Sequence, residues 1–225
     1  MHSPSTIVVC GANSGVGLSL CETLLTDGYR VVGLSLHSDK MKRINNDNFI
    51  FYTLDFANSS SVQEVFAELG PINGLVNCAA VFEASDFKSQ SFLSIGKIID
   101  TNLKGTILTC RCALDIMSKG HIINISSVSG CYGIERQAVY SATKHALRGF
   151  GESLNKELIP QGIKVTTLFP GGIDTPLWNQ RNPYNGDTKS LLKTSDISDI
   201  ILMILKSKPH IVFKELVFFP DNEIH

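Results

Sequence analysis

The chain has 225 residues, with 20 Lys+Arg against 21 Asp+Glu and 43% hydrophobic residues. That content suits a folded core and excludes a disordered chain. The balanced charge (pI about 6.6) gives no general electrostatic pull toward nucleic acid or an anionic membrane. The longest clean apolar runs, such as Ile200 to Leu205, fall far short of the roughly 20 residues a bilayer requires.

Met1 to Thr6, followed by Ile7-Val8-Val9-Cys10, has no basic region and too short an apolar stretch for a signal peptide, so a cytoplasmic protein is expected. Cysteines stand at 10, 21, 78, 110, 112 and 131 with no CxxC pair, and read as reduced, mostly buried thiols. No two histidines are four apart and no Cys/His cluster has zinc-ligand spacing, so no metal site is expected.

Short β-branched runs alternate with longer amphipathic ones. Strands are expected at Thr6–Cys10, Arg30–Leu34, Asn48–Leu54, Ile72–Asn77, His121–Ser126, Lys164–Phe169 and Ile211–Phe219. Helices are expected at Gly15–Thr26, Ser60–Leu69, one long stretch from Phe92 to Ser118, Val139–Leu158 and Asp196–Lys206. Several strands are apolar on both faces, which predicts a mostly parallel sheet covered by helices. The expected fold is α/β: a single doubly wound Rossmann-type domain over 1–225, with about seven strands. Ligands then bind beyond the carboxyl ends of the strands.

Gly11-Ala12-Asn13-Ser14-Gly15-Val16-Gly17 follows the first strand and opens the first helix. Glycines there permit a tight turn and close approach to a pyrophosphate, which the free N–H groups of the helix start then receive. The spacing is G-x-x-x-G-x-G, and no G-K-[ST] follows, which argues against a triphosphate P-loop. Tyr140 and Lys144, four apart on a predicted helix, share one face. A phenol with pKa near 10 is a poor acid–base group at neutrality, and an adjacent ammonium lowers that pKa. Ser127, at the end of the fifth strand, lies on the same side of the sheet as the glycine loop.

Together with Asp55, Leu75-Val76-Asn77-Cys78-Ala79-Ala80, Asn102 and Pro170-Gly171-Gly172-Ile173-Asp174-Thr175, these ordered pieces resemble the short-chain dehydrogenase/reductase family over nearly the whole chain. The resemblance implies that Tyr140 is the general acid/base and that Lys144 lowers its pKa and holds the nicotinamide ribose. It implies that Ser127 binds the substrate oxygen and that Asn102 organises a water-linked proton relay. Cofactor contacts are implied for the loop residues Gly11, Asn13, Ser14, Gly15, Val16 and Gly17. Asp55, with Phe56 beside it, falls to the adenine, and Asn77 and Ala79 to the inner wall. Pro170, Gly171, Ile173 and Thr175 cover the nicotinamide. The family's usual Asn-Asn-Ala-Gly is Asn77-Cys78-Ala79-Ala80 here, which removes one amide and replaces a glycine able to take a positive φ.

At the end of the second strand an acidic residue would accept from the ribose 2′-OH of NAD and repel a 2′-phosphate. By the family alignment Ser35 stands at that acidic position and Leu36 where NADP-preferring members often carry arginine. Ser35, with His37, Ser38 and Lys40 nearby, favours NADP with NAD possible; Asp39 argues the other way. The C-terminal segment from Lys208 to Pro220 is similar to the branch with NADP-dependent 3-hydroxy-acid and serine dehydrogenases. The loop at about 176–190 lies where the family places a substrate lid, and its Arg181 is a candidate grip for a carboxylate. The helices around 92–118 and 139–158 match the family's oligomerisation pair, so a homodimer or homotetramer acting on a small-molecule alcohol or carbonyl is expected. Two alternatives compete: a nucleotide-sugar epimerase or dehydratase, which also uses Y-x-x-x-K, and a cofactor-binding sensor without turnover.

Overall fold

A computed structural model describes residues 4–179, 182–184 and 186–221. Seven parallel strands form one sheet: β1 (Thr6–Cys10), β2 (Arg30–Ser35), β3 (Phe49–Thr53), β4 (Gly74–Asn77), β5 (Gly120–Ile125), β6 (Ile163–Pro170) and β7 (Glu215–Phe218). Their order across the sheet is β3-β2-β1-β4-β5-β6-β7. The chain reverses its direction of travel between β1 and β4, whose Cys10 and Asn77 are register partners. Beyond that switch point the crossover connections diverge and leave a crevice.

Alternate residues of each strand feed opposite layers, because successive side chains on a strand point to opposite faces. Val8 and Cys10 of β1 join Leu75, Ile122 and Val165 in one cluster, while Ile7 and Val9 join Val76, Ile123 and Leu168 in the other. Both faces are therefore dry. One is covered by α2 (Ser59–Glu68), α4 (Thr106–Ala113) and α5 (Ala138–Leu158), the other by α1 (Gly15–Thr26) and α6 (Thr194–Leu205). Local signals set the helix starts. Asn58 Oδ1 accepts from the N–H groups of Ser60 and Ser61 at the head of α2, and Ser91 Oγ accepts from Ser94 N–H at the head of α3 (Phe92–Ile99).

The single helix expected over 92–118 stays helical from Phe92 to Ala113 but changes its winding on the way. Between α3 and α4 the residues Asp100–Gly105 form a π-helical turn, and α4 ends at Ala113. Such turns insert one residue into the helical ladder, and the α repeat resumes on either side of them, so no local residue pattern marks the place. Asn102 sits in this turn with only 1% of its surface exposed. The last strand is also shorter than expected. The carbonyls of Ile211 and Phe213 are taken by side chains of β6, Lys164 Nζ at 2.7 Å and Thr166 Oγ1 at 2.6 Å, so ladder pairing begins only at Glu215. No described helix is long and apolar enough to cross a membrane.

Candidate active site

A cleft of about 1440 Å³ opens along the carboxyl ends of the strands. That exceeds the 300–1,000 Å³ of an ordinary single-ligand pocket. Its floor begins at the glycine turn. Gly11 has φ +84°, and a Cβ there would stand 2.8 Å from the backbone nitrogen of Ala79. At Gly17 a Cβ would meet the Gly11 carbonyl oxygen at 2.3 Å. Only glycine lets the turn fold under α1 this closely, which is why Gly17 serves the turn from beneath, while Gly11, Ser14, Gly15 and Val16 line the cleft. The first turn of α1 has no side-chain cap and no acidic residue. Its N–H groups and positive dipole end are left for an anion, which fits the pyrophosphate of a dinucleotide.

Asn13 faces away from the cleft. Its Oδ1 accepts from the N–H groups of Lys40 (2.9 Å) and Met41 (3.2 Å), and its Nδ2 donates to Asp39 Oδ1 at 2.8 Å. The amide therefore ties the turn to the loop after β2 and holds the Asp39 carboxyl below the usual carboxylate range. Ser35 and Leu36 line the cleft, whereas His37, Asp39 and Lys40 do not. Asp55 and Phe56 follow β3 and close this end. Asn77 is buried behind the wall, donating to Asn124 Oδ1 at 2.9 Å and accepting from Thr109 Oγ1 at 2.8 Å; Cys78, Ala79 and Ala80 form the wall itself. Position 80 needs no left-handed backbone, since Arg136 (φ 64°) is the sole described non-glycine residue there.

Ser127, Tyr140 and Lys144 meet on the opposite wall. Ser127 stands two residues beyond β5, where its Oγ accepts from Ser129 N–H at 3.1 Å and caps the following turn. Its hydroxyl also lies near enough to the Tyr140 phenol to lower that group's pKa. Burial pushes that phenol up to about 12, although the Ser127 hydroxyl pulls the other way. This reverses the direction the resemblance implies for the tyrosine. Lys144 Nζ donates to Ile125 O at 2.9 Å, lies 5.4 Å from the Tyr140 ring centroid, and is itself lowered to about 8 by burial. Desolvation, which disfavours both charged forms, is the largest cause of each shift.

Asn102 is not on the cleft surface; its side chain is spent on the Val81 peptide and on Thr143 Oγ1 (3.5 Å). Pro170, Gly171, Ile173 and Thr175 line the side facing α1. The described part of the 176–190 loop folds over the opening. Asn182 Nδ2 donates to Phe82 O (3.1 Å) and its Oδ1 accepts from Ala84 N–H (2.9 Å). Arg181 lies outside the described residues.

Sequence reasoning missed Phe82, whose ring meets the Tyr140 ring edge-on at 4.9 Å, and Gln137, whose Oε1 accepts from Ser129 Oγ at 3.0 Å. Neither belongs to a motif. Each reaches the site through the loops that follow β4 and β5, whose paths no local pattern encodes.

The family model described as short chain dehydrogenase matches residues 5–186. An uncharacterized oxidoreductase of Staphylococcus haemolyticus is 31% identical over 224 residues, covering 95% of this chain and 96% of that protein. Among solved structures, the closed form of a serine dehydrogenase complexed with NADP+ superposes with a TM-score of 0.91 at 26% identity, covering 98% of this chain and 96% of the other. ElxO with NADP bound gives 0.86 at 26% identity, covering 96% and 98%. The matched region runs from β1 past the end of β6 and so takes in both walls of the cleft: the chain belongs to the short-chain dehydrogenase family of oxidoreductases.

Proposed function

We propose that the protein interconverts a small-molecule alcohol and its carbonyl compound with NADP(H), using Tyr140 as general acid/base. The observation that carries this reading is the meeting of Ser127, Tyr140 and Lys144 on one wall, opposite a glycine turn whose helix start is free for an anion. When bound, the nicotinamide supplies the hydride in reduction and accepts it in oxidation. Tyr140 Oη, protonated throughout the neutral range, gives its proton to the carbonyl oxygen as that oxygen becomes an alcohol. The Ser127 hydroxyl lines the cleft with that phenol and would hold the substrate oxygen beside it. Lys144, near Tyr140 and tied to Ile125 O, supplies positive charge as negative charge develops.

The glycine loop and the start of α1 would hold the pyrophosphate, Asp55 and Phe56 the adenine, and Pro170, Gly171, Ile173 and Thr175 the nicotinamide side. NADP is favoured over NAD because Ser35, not an acid, faces the cleft after β2, and because Asn13 engages Asp39. The two solved neighbours named above carry NADP, which agrees. Asn102 acts by fixing the Val81 peptide at the inner wall, and the 176–190 loop acts as a lid within one catalytic domain.

Assembly as a homodimer or homotetramer is supported by apolar side chains left exposed on α3 and α4, Ile99 at 42% and Ile107 at 37%. A cytoplasmic setting is supported by six cysteines that are all free thiols. A sensor without turnover has no use for Ser127, Tyr140 and Lys144 on one wall. The deciding experiment is a turnover screen of ketones, aldehydes and alcohols with NADP(H) and NAD(H). Absorbance of the reduced nicotinamide should change only with NADP(H) plus a carbonyl or alcohol. Cofactor binding without turnover across the screen would sink the proposal.

A further inference from the structure

Three aromatic rings continue outward from Tyr140. Phe82 meets the tyrosine ring at 4.9 Å and 77°, Trp178 meets Phe82 at 5.3 Å and 73°, and Tyr184 meets Trp178 at 5.1 Å and 58°. All four line the cleft, so one wall runs as a row of rings from the reacting hydroxyl into the lid. The indole N–H of Trp178 is already spent on Ile173 O at 3.0 Å, which leaves the ring as its contribution to the cavity. At the rim, Phe92 and Leu93 are 94% and 84% exposed, and both line the same cleft.

Among the described residues, charge gives a small acid little to hold. On this side the described lining residues carry two cations, Lys97 and Arg136, beside two acids, Asp100 and Glu135, and Asp100 pairs with Lys104. Arg136 leans toward Asp86 at 4.0 Å, and Lys144 donates to Ile125 O. A carboxylate moved against the ring faces would lose water and meet their negative quadrupole, whereas a flat apolar group gains area and edge-to-face contacts.

We infer that the substrate half of the cleft takes a planar, apolar carbonyl compound, an aryl ketone or aldehyde or the corresponding carbinol, and not a small hydroxy acid. The inference rests on the dehydrogenase reading above and names its substrate class. It also separates this chain from serine dehydrogenase, its structural neighbour, whose named substrate is a small zwitterion.

The test compares kcat/KM for acetophenone, acetone and L-serine at saturating NADP(H), and follows a binding signal independent of turnover. Trp178 is the chain's one tryptophan, so its fluorescence reports the wall directly. Acetanilide, an unreactive aryl amide, should quench it in the presence of NADP+, and acetone at the same concentration should not. Replacing a methyl by a phenyl should raise kcat/KM at least about 100-fold, since a single methylene in an apolar pocket is worth about 10–200-fold. Trp178→Ala should shrink that ratio at least about tenfold. If L-serine is the better substrate and Arg181→Ala removes it, or if acetone equals acetophenone and acetanilide leaves Trp178 unquenched, the inference is overturned while the dehydrogenase reading stands. Quenching by acetanilide with no turnover of any carbonyl supports the ligand class and sinks the dehydrogenase reading instead.

Discussion

Asn102 grips the peptide of Val81 from both sides: its Oδ1 accepts from Val81 N–H at 2.7 Å and its Nδ2 donates to Val81 O at 2.8 Å. One side chain thereby does for β4's exit what a neighbouring strand would do inside the sheet. It also fixes the residue before Phe82, whose ring packs on Tyr140. Asn102→Ala leaves those peptide groups without protein partners, at a cost of about 1–3 kcal/mol. At roughly 2–4 °C per kcal/mol for a chain this size, Tm should fall by about 5 °C. The catalytic signature is a kcat that falls on the order of tenfold while the Kd for NADP+ is unchanged, measured by stopped-flow and calorimetry.

Tyr140→Phe keeps the edge contact with Phe82 and deletes only the hydroxyl. General acid–base contributions are typically 10²–10⁴-fold, so kcat should drop by at least about 100-fold. Cofactor affinity, carried by the glycine turn, should survive within a factor of about two to three. A variant turning over near the wild-type rate would remove Tyr140 from the chemistry.

Ser35→Asp places a carboxylate at the rim of the cleft after β2. Like-charge repulsion of a 2′-phosphate and acceptance from a 2′-OH should reverse or erase the NADP preference. The ratio of kcat/KM for NADP(H) over NAD(H) is measured with one substrate at fixed ionic strength, because exposed charge recognition weakens with salt. A wild-type enzyme that is equal or better with NAD(H) would refute the cofactor assignment.

His121 on β5 is lowered to about 4, first by burial and second by the nearby Lys164 ammonium. Its ordinary value is near 6.5. Between those values the unfolded chain binds the proton and the folded chain does not, so stability rises with pH across about 4 to 6.5 and is lost on acidification through that window. Allowing for partial hydration of the ring, the loss is on the order of 1–2 kcal/mol. Chemical denaturation at several pH values should show this acid slope in the wild type and a shallower one in His121→Gln.

Much of the framework was legible because it is written in short-range terms. The β-branched run at Thr6–Cys10, the four-residue spacing of Tyr140 and Lys144 and the glycines of the first turn each act within a few residues. Seven strands follow from them, and so does a site at the carboxyl edge. The pieces that escaped act across the fold. Nothing near Asn102 announces a π-turn, because that turn is stabilised by Val81, 21 residues away. Asn182 and Phe82 meet only because two loops close on each other. The rise of the Tyr140 pKa was likewise out of reach, since a sequence shows the Lys144 charge four residues on but not how deeply the fold buries the phenol. Asn13, read as a cofactor contact, turns out to spend its amide on the loop after β2.

The π-turn at Asp100–Gly105 carries a lesson about chain length. A substitution there alters one side chain, but removing one residue would restore ordinary α geometry and swing Asn102 away from Val81 by about 100°, the angular step of a helix with 3.6 residues per turn. α4 would then present a different stripe to α2 and to the core beneath it. The segment should therefore accept many point changes on its outer face, where Lys104 and Asp100 form an exposed ion pair at 2.7 Å, yet reject every single-residue deletion. A deletion scan through 99–106 would find the integer length of this stretch under tighter restraint than most of its letters.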